Sequence, residues 1–196
     1  MRIGVLGGTF DPPHNGHIAI AKAAISHLEL DDFVFLPANR NPFKPADRPT
    51  PAKMRMEMAR LAVEAEPSIA VSDIDITRGG PSYAVETLAE LQMARPADYW
   101  FLMGLDTLKG LGNWKNPERL VKLCRLGVVV RPPLKLANVL LQLPESISAA
   151  VDKVPMAVTP ISSTDIREQV SLRHDISRMV PKPVLSYIQE HRLYQN

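Results

Sequence analysis

A single cysteine, Cys124, is present in 196 residues. One thiol cannot close an intrachain disulfide, so a disulfide-stapled scaffold is excluded. Its place in the apolar stretch from Leu120 to Val130 marks it as a buried structural residue. Aromatic residues are scarce, at 6%, and they do not interleave with basic residues as a nucleic-acid platform requires. Charge of one sign is also missing. The 23 Lys and Arg against 21 Asp and Glu leave a net charge of +2, too little for wholesale nucleic-acid binding yet compatible with small anionic substrates. No apolar run is long enough to span a bilayer, and the run from Met1 to Leu6 is too short for a signal peptide. The expectation is a soluble, cytoplasmic protein without nucleic-acid or membrane partners. There is no internal repeat, no G-x-G-x-x-G, no Gly-Lys-Ser/Thr P-loop and no H-E-x-x-H. No cluster of carboxylates suggests a metal site built from protein groups alone.

What is present is ordinary in bulk. Hydrophobic residues make up 45% and charged residues 22%, enough for one sizeable core. Short apolar runs predict strands over Arg2–Leu6, Asp32–Pro37, Tyr99–Met103, Leu126–Val130 and Val154–Val158, and alternation of apolar and polar residues predicts a half-buried strand over Ile69–Ile76. Between them, periodic segments predict helices over Asn15–Leu28, from Pro51 to about Ala65, and over Ser82–Met93, Pro117–Leu123 and Lys135–Leu143. Two further helices are expected from Ser163 to about Val170 and over Pro183–His191. Alternating strands and helices, with most strands continuously apolar, imply an α/β fold with a doubly wound parallel sheet. One domain over residues 1–196 is expected, with 163–196 as a small C-terminal helical part.

The chemistry concentrates after the first strand, in Gly7-Gly8-Thr9-Phe10-Asp11-Pro12-Pro13-His14-Asn15-Gly16-His17. Ligands of open α/β sheets bind beyond the carboxyl ends of the strands. Gly7 and Gly8 allow an anion to approach the backbone, and a helix starting at Asn15 offers free N–H groups and a favourable dipole. His14 and His17, three apart, would project from one face of the first helical turn and donate to phosphate oxygens. Either histidine alone would be a surface residue. The combination of glycines, prolines and His-x-x-His at a strand–helix junction points to a triphosphate site. At the other end of the chain, Ser163 or Thr164 can cap a helix, and Arg167 on its first turn can grip an anion bidentately. Taken alone, that second segment is an ordinary capped helix with a surface arginine.

Together the two segments resemble the signatures of the nucleotidyltransferase superfamily related to class I aminoacyl-tRNA synthetases. His14-Asn15-Gly16-His17 matches its H-x-G-H element, and Ile161-Ser162-Ser163-Thr164-Asp165-Ile166-Arg167 matches its I-S-S-T-x-I-R element. Within that superfamily the chain is most similar, essentially end to end, to the bacterial nicotinate-nucleotide adenylyltransferases. Asn41-Pro42-Phe43-Lys44, Gly79-Gly80-Pro81-Ser82-Tyr83, Gly104-Leu105-Asp106, Trp114 and Arg131-Pro132 carry this similarity. Three positions depart from the family pattern. Phe43 stands where histidine is usual, Ala84 where threonine is usual, and Leu105 where a smaller residue is common.

The resemblance implies a Rossmann-like nucleotidyltransferase fold and a defined set of site residues. His14, His17, Lys44 and Arg167 would be catalytic. Gly7, Gly8, Thr9, Phe10, Asn39, Ser82, Tyr83, Ala84, Gly104, Asp106, Trp114, Lys115, Arg131, Ile161, Ser162, Ser163 and Thr164 would bind substrates. Trp114 would stack on a pyridine ring, backbone amides near Ala84 and Lys115 would hold a carboxylate, and Asp106 would bind ribose hydroxyls. Lys44 would face the phosphates.

The implied reaction joins ATP and nicotinate mononucleotide, giving the dinucleotide and pyrophosphate in a step of NAD biosynthesis. A substrate phosphate is the nucleophile, so no side-chain nucleophile is needed, and Mg²⁺ would be held mainly through substrate phosphates. Alternatives are an acceptor such as nicotinamide mononucleotide or phosphopantetheine, or a non-catalytic nucleotide- or RNA-binding module. Assembly into a homo-oligomer stays open.

Overall fold

The computed structural model describes residues 1–43, 49–130, 136–157 and 160–195. A sheet of six parallel strands runs through it: β1 (Arg2–Gly8), β2 (Asp32–Pro37), β3 (Ile69–Val71), β4 (Asp98–Gly104), β5 (Arg125–Val130) and β6 (Val151–Pro155). Their order is β3-β2-β1-β4-β5-β6. The direction of winding reverses between β1 and β4, so the crevice between their carboxyl ends is where such sheets take ligands.

Alternation along the central strands feeds two cores. Leu6 on β1 and Trp100 and Leu102 on β4 face one side of the sheet. There they pack with Ala21 and Ala24 of α1 (Asn15–Leu28) and Met58 and Ala62 of α2 (Ala52–Val63). Ile3, Val5, Tyr99, Phe101 and Met103 face the other side. The helix α3 (Ile74–Arg78) precedes α4 (Ala84–Ala94), which covers this second face through Val85 and Leu88. α5 (Leu105–Lys109) and α6 (Pro117–Leu123) also cover it, through Leu108 and Leu120, and Cys124 is buried in the same core. The short α7 (Leu136–Leu140) and α8 (Glu145–Ser148) lead to β6. α9 (Ser163–Ser171) and α10 (Lys182–Glu190) then return to the first face, burying Ile166, Val184 and Ile188.

The expected strand over Ile69–Ile76 is shorter than predicted. β3 is an edge strand and pairs with β2 only through Val71. The chain then turns into α3, where helical spacing sets Asp75 and Arg78 as an ion pair. The expected strand over Val154–Val158 begins earlier, at Val151, where it pairs with Leu126 of β5. Asp152 sits on this strand and receives the Trp100 indole N–H at 2.7 Å and the Arg125 guanidinium at 2.5 and 2.8 Å.

Packing around β1 leaves no room at Gly4. A Cβ there would stand 2.5 Å from Phe33 Cδ2 and 2.6 Å from Leu30 Cδ1, both core side chains. At Gly104 a Cβ meets nothing within 4 Å. Gly4→Val is therefore expected to destabilise the protein by about 1–3 kcal/mol through overpacking, while Gly104→Ala stays within about 0.5 kcal/mol of the parent. Urea denaturation of both variants checks this, and equal midpoints would contradict the packing described.

Candidate active site

Residues that follow β1, β2, β3 and β4 gather around the carboxyl end of β1. Beyond Gly8 the chain passes through Phe10, buried at φ 51°, a conformation that non-glycine residues seldom adopt. Its ring lies 5.0 Å from Phe35 and 4.8 Å from His17. The backbone of this loop is thus held by aromatic packing and leaves Gly7 exposed toward the crevice.

The two histidines meet, but not as neighbours on a helical turn. His14 is the extended N-cap of α1, and His17 is the third helical residue. Their rings stack with centroids 3.7 Å apart. The His14 N–H donates to His17 Nδ1 at 3.1 Å. A neutral His17 ring that accepts at Nδ1 carries its proton on Nε2 and can donate there. Gly16 explains the spacing. A Cβ at that position would stand 2.9 Å from His14 Nδ1 and 3.6 Å from the Ile161 carbonyl oxygen. The glycine of the H-x-G-H element therefore lets the His14 ring lie against the first turn of α1, while the Ile161 carbonyl is at ordinary contact distance. The first amide of α1 differs from the expectation of free N–H groups, because Asn15 N–H donates to Met179 O at 2.9 Å.

The second motif also differs in detail. Ser162, rather than Ser163 or Thr164, caps α9, its Oγ accepting from Asp165 N–H at 3.1 Å. Ser163 instead donates to Pro12 O at 2.8 Å. Arg167, the fifth residue of the helix and so on its second turn, donates from Nη1 to Asp11 O at 2.8 Å and from Nη2 to Thr164 Oγ1 at 3.4 Å. These bonds close the second motif onto the first.

Two hollows open on either side of His17. One, of about 570 Å³, is lined by Gly7, Gly8, Ser82, Tyr83, Ala84, Gly104, Asp106, Trp114 and Lys115. The other, of about 430 Å³, is lined by Thr9, Phe10, Ser163, Thr164 and Arg167 together with Asp11, Thr50 and Tyr194. His17 lines both. In the first, Trp114 stands edge-on to Phe101 at 5.7 Å and nearly parallel to Phe43 at 5.9 Å. Tyr83 caps α4 at this hollow, and the Lys115 ammonium lies 4.4 Å over its ring and 2.5 Å from Glu86. Asp106, in the first turn of α5, is exposed and 3.4 Å from Lys109. Asn39 gives its side chain to the neighbouring turn, donating to Gly80 O at 2.9 Å, while its N–H donates to Ser82 Oγ at 2.9 Å. Lys44 and Arg131 lie outside the described residues.

Several participants carry no motif. Arg55 of α2 is 1% exposed and donates to Thr9 O at 2.6 Å, Thr50 O at 2.8 Å and Asn39 O at 3.1 Å. Asp75 is buried at the wall of the larger hollow, hydrogen-bonded by Thr87 and paired with Arg78, which also donates to Glu90 at 3.0 Å. Asp11 accepts from Tyr194 Oη at 2.6 Å and Thr50 N–H at 3.1 Å. A buried polar side chain paired with a loop carbonyl leaves no periodic trace in a sequence. The one available signal was an arginine on the apolar face of α2.

Comparison with known proteins accords with this geometry. Residues 5–169 match the cytidylyltransferase-like family. The "probable nicotinate-nucleotide adenylyltransferase" of Exiguobacterium sibiricum is 40% identical over 195 residues, covering 99% of each chain. That of Geobacter metallireducens is 36% identical, covering 99% of this chain and 98% of its own. The chain belongs to the nicotinate-nucleotide adenylyltransferase family. A solved member of like fold is the Plasmodium falciparum nicotinic acid mononucleotide adenylyltransferase, complexed with NaAD. It has a TM-score of 0.75 and 18% identity, covering 98% of this chain and 97% of that one. A second structure of it, complexed with APC, gives a TM-score of 0.74.

Tyr194 provides a test of how the second hollow of this family member is held. Burial, followed by the charge and hydrogen bond of Asp11, pushes its phenol well above the ordinary range. The folded chain therefore keeps this proton longer than the unfolded chain. Its contribution is complete below about pH 10 and is lost as pH rises beyond it. Tyr194→Phe removes a bond to a charged acceptor and is expected to cost about 1.5–3 kcal/mol at neutral pH. It should also flatten the fall in stability above about pH 10. Denaturation midpoints from pH 7 to 11 measure both, and parallel curves for variant and parent would refute the assignment.

Proposed function

We propose that this chain transfers the adenylyl group of ATP to nicotinate mononucleotide. An oxygen of the acceptor's 5′-phosphate attacks the α-phosphorus of ATP. The bond from that phosphorus to the bridging oxygen breaks, and pyrophosphate leaves with the electron pair. The observation that carries the reading is the position of His17 between two hollows of different chemistry. The aromatic hollow around Trp114 suits the flat ring of the acceptor. The hollow with Arg167, Ser163 and Thr164 suits the triphosphate. His17 then lies where acceptor and donor meet, and its Nε2–H faces developing charge on the phosphoryl oxygens.

Nothing in this scheme needs a protein nucleophile. Positioning and charge stabilisation lower the barrier. The proposed parts are His14 and His17 at the α-phosphate, Arg167 at the departing pyrophosphate, and Lys44. Mg²⁺ suits the site as a companion of the ATP phosphates, where it would neutralise charge on the leaving group. The carboxylate nearest the triphosphate, Asp11, is already engaged by Tyr194 and Thr50, which favours phosphates over protein as ligands. Asp106 would bind a ribose, and its exposure leaves it open to ligand.

His17→Ala is expected to lower kcat by ~10²-fold or more without unfolding the protein. Turnover close to the parent in a folded variant would remove His17 from this role.

Acceptor choice follows from the wall near Ala84. The first turn of α4 presents backbone N–H groups, and the Lys115 ammonium lies beside its Tyr83 cap. A carboxylate accepts from every such donor. A carboxamide turns its NH₂ toward one of them, leaving donors opposed at a cost of about 1–3 kcal/mol. Ala84 keeps the backbone donor that this contact uses, so the usual threonine hydroxyl is dispensable for it. The preference for nicotinate mononucleotide over its amide should be on the order of 10- to 100-fold in kcat/KM. Pyrophosphate release at saturating ATP with each acceptor decides the matter, and equal rates or an amide preference would overturn the acceptor reading.

A further inference from the structure

Arg55 is 1% exposed, and its guanidinium lies beneath the loops of the carboxyl edge. Its donors reach carbonyls in three separate segments: Thr9 at 2.6 Å, Asn39 at 3.1 Å and Thr50 at 2.8 Å. Thr9 lines the smaller hollow, which the proposed function gives to ATP. Asn39 leads to the larger hollow, because its own N–H and side chain hold Ser82 Oγ and Gly80 O. The turn so held runs through Gly79 and Gly80, at φ 75° and 68°, into the first turn of α4. One planar group therefore spans the triphosphate loop and the acceptor turn.

Each side also has supports that do not involve Arg55. The triphosphate loop is tied to α9 by Ser163 to Pro12 O and Arg167 to Asp11 O, at 2.8 Å each. The acceptor turn is flanked by the Asp75, Arg78, Thr87 and Glu90 network, which joins α3 to α4. The backbone joins the two sides once, through Ala38 N–H to Gly8 O at 2.9 Å, and Arg55 adds the side-chain brace that fixes Thr9 against Asn39 beyond that point. A planar guanidinium with donors in fixed directions is suited to that task, and a lysine ammonium is not.

We propose that Arg55 is a positioning residue that sets the separation of the two substrate sites, acting through Thr9 and Asn39 and touching neither substrate. The proposal rests on the adenylyl-transfer reading. Its loss leaves the local contacts of each substrate in place and shifts one bound substrate relative to the other. Attack on phosphorus needs close approach and alignment, and a misplacement of about 1 Å is enough to cost ~10²-fold in rate.

The test compares the parent with Arg55→Lys and Arg55→Met in steady-state kinetics, with both substrates varied and folding checked by circular dichroism and thermal unfolding. The expected result is a fall in kcat of ~10²-fold with both KM values within ~3-fold of the parent. Lysine is expected to be no better than partial, because it cannot bridge three carbonyls. If the methionine variant does not fold, the lysine variant alone decides. In Arg55→Ala, added methylguanidinium is expected to restore part of the lost kcat. Unchanged kcat in a folded variant overturns the proposal, and so does a rise in one KM with kcat intact, which would confine Arg55 to one site. A parent enzyme that uses the amide nucleotide instead overturns the acceptor reading only, and the same comparison with that acceptor judges Arg55 independently.

Discussion

Six parallel strands end on one edge of the sheet, so their loops crowd together with backbone carbonyls that water cannot fully reach. Each such group must find a donor. Here the donors come from a buried and a half-buried arginine that reach between loops. Arg55 serves Thr9, Asn39 and Thr50, and Arg167 serves Asp11. Burial pulls the Arg55 guanidinium below its usual pKa, and the nearby Asp11 opposes that shift. Removing the arginine would strand three carbonyls at once, so the site's architecture and its solvation are one problem with one solution.

The same economy governs charge. The hollow around Trp114 has a buried acid in its wall, yet Asp75 is enclosed by Arg78 and Thr87. The open carboxylate of this hollow is instead Asp106, which is exposed at its rim. In the other hollow, Asp11 is occupied by Tyr194 and Thr50, which leaves Arg167 to dominate the field. Asp75 is thus paired with a cation, whereas Asp11 is held by two neutral donors.

How much of this could be read from the sequence depended on how local the signal was. The bounds of α1, Asn15 and Leu28, followed from apolar periodicity, as did β2 over Asp32–Pro37. The two motifs marked both ends of the site because their residue types and spacing are local. Ile69–Ile76 misled because its strand-like alternation continues past Val71, where pairing with β2 ends and the chain turns into α3. Ser162 was passed over as the cap because Ser163 and Thr164 are equally good caps by composition. Which of the three takes the role depends on Pro12, whose carbonyl engages Ser163 across the fold. The contacts of Arg55 and Tyr194 could not be read for the same reason, since their partners are distant in sequence and meet only after the sheet has formed.

The bond between Tyr194 and Asp11 spans almost the full sequence. It has a consequence for how the protein is born. At about 5–20 residues per second, roughly 10–40 s pass between synthesis of the glycine loop and that of the tyrosine that secures it. The early strands can pair during this interval, but the hollow between Asp11 and Tyr194 cannot be completed. Until Tyr194 has been made, the hollow lined by Thr9, Asp11 and Arg167 lacks one of its walls.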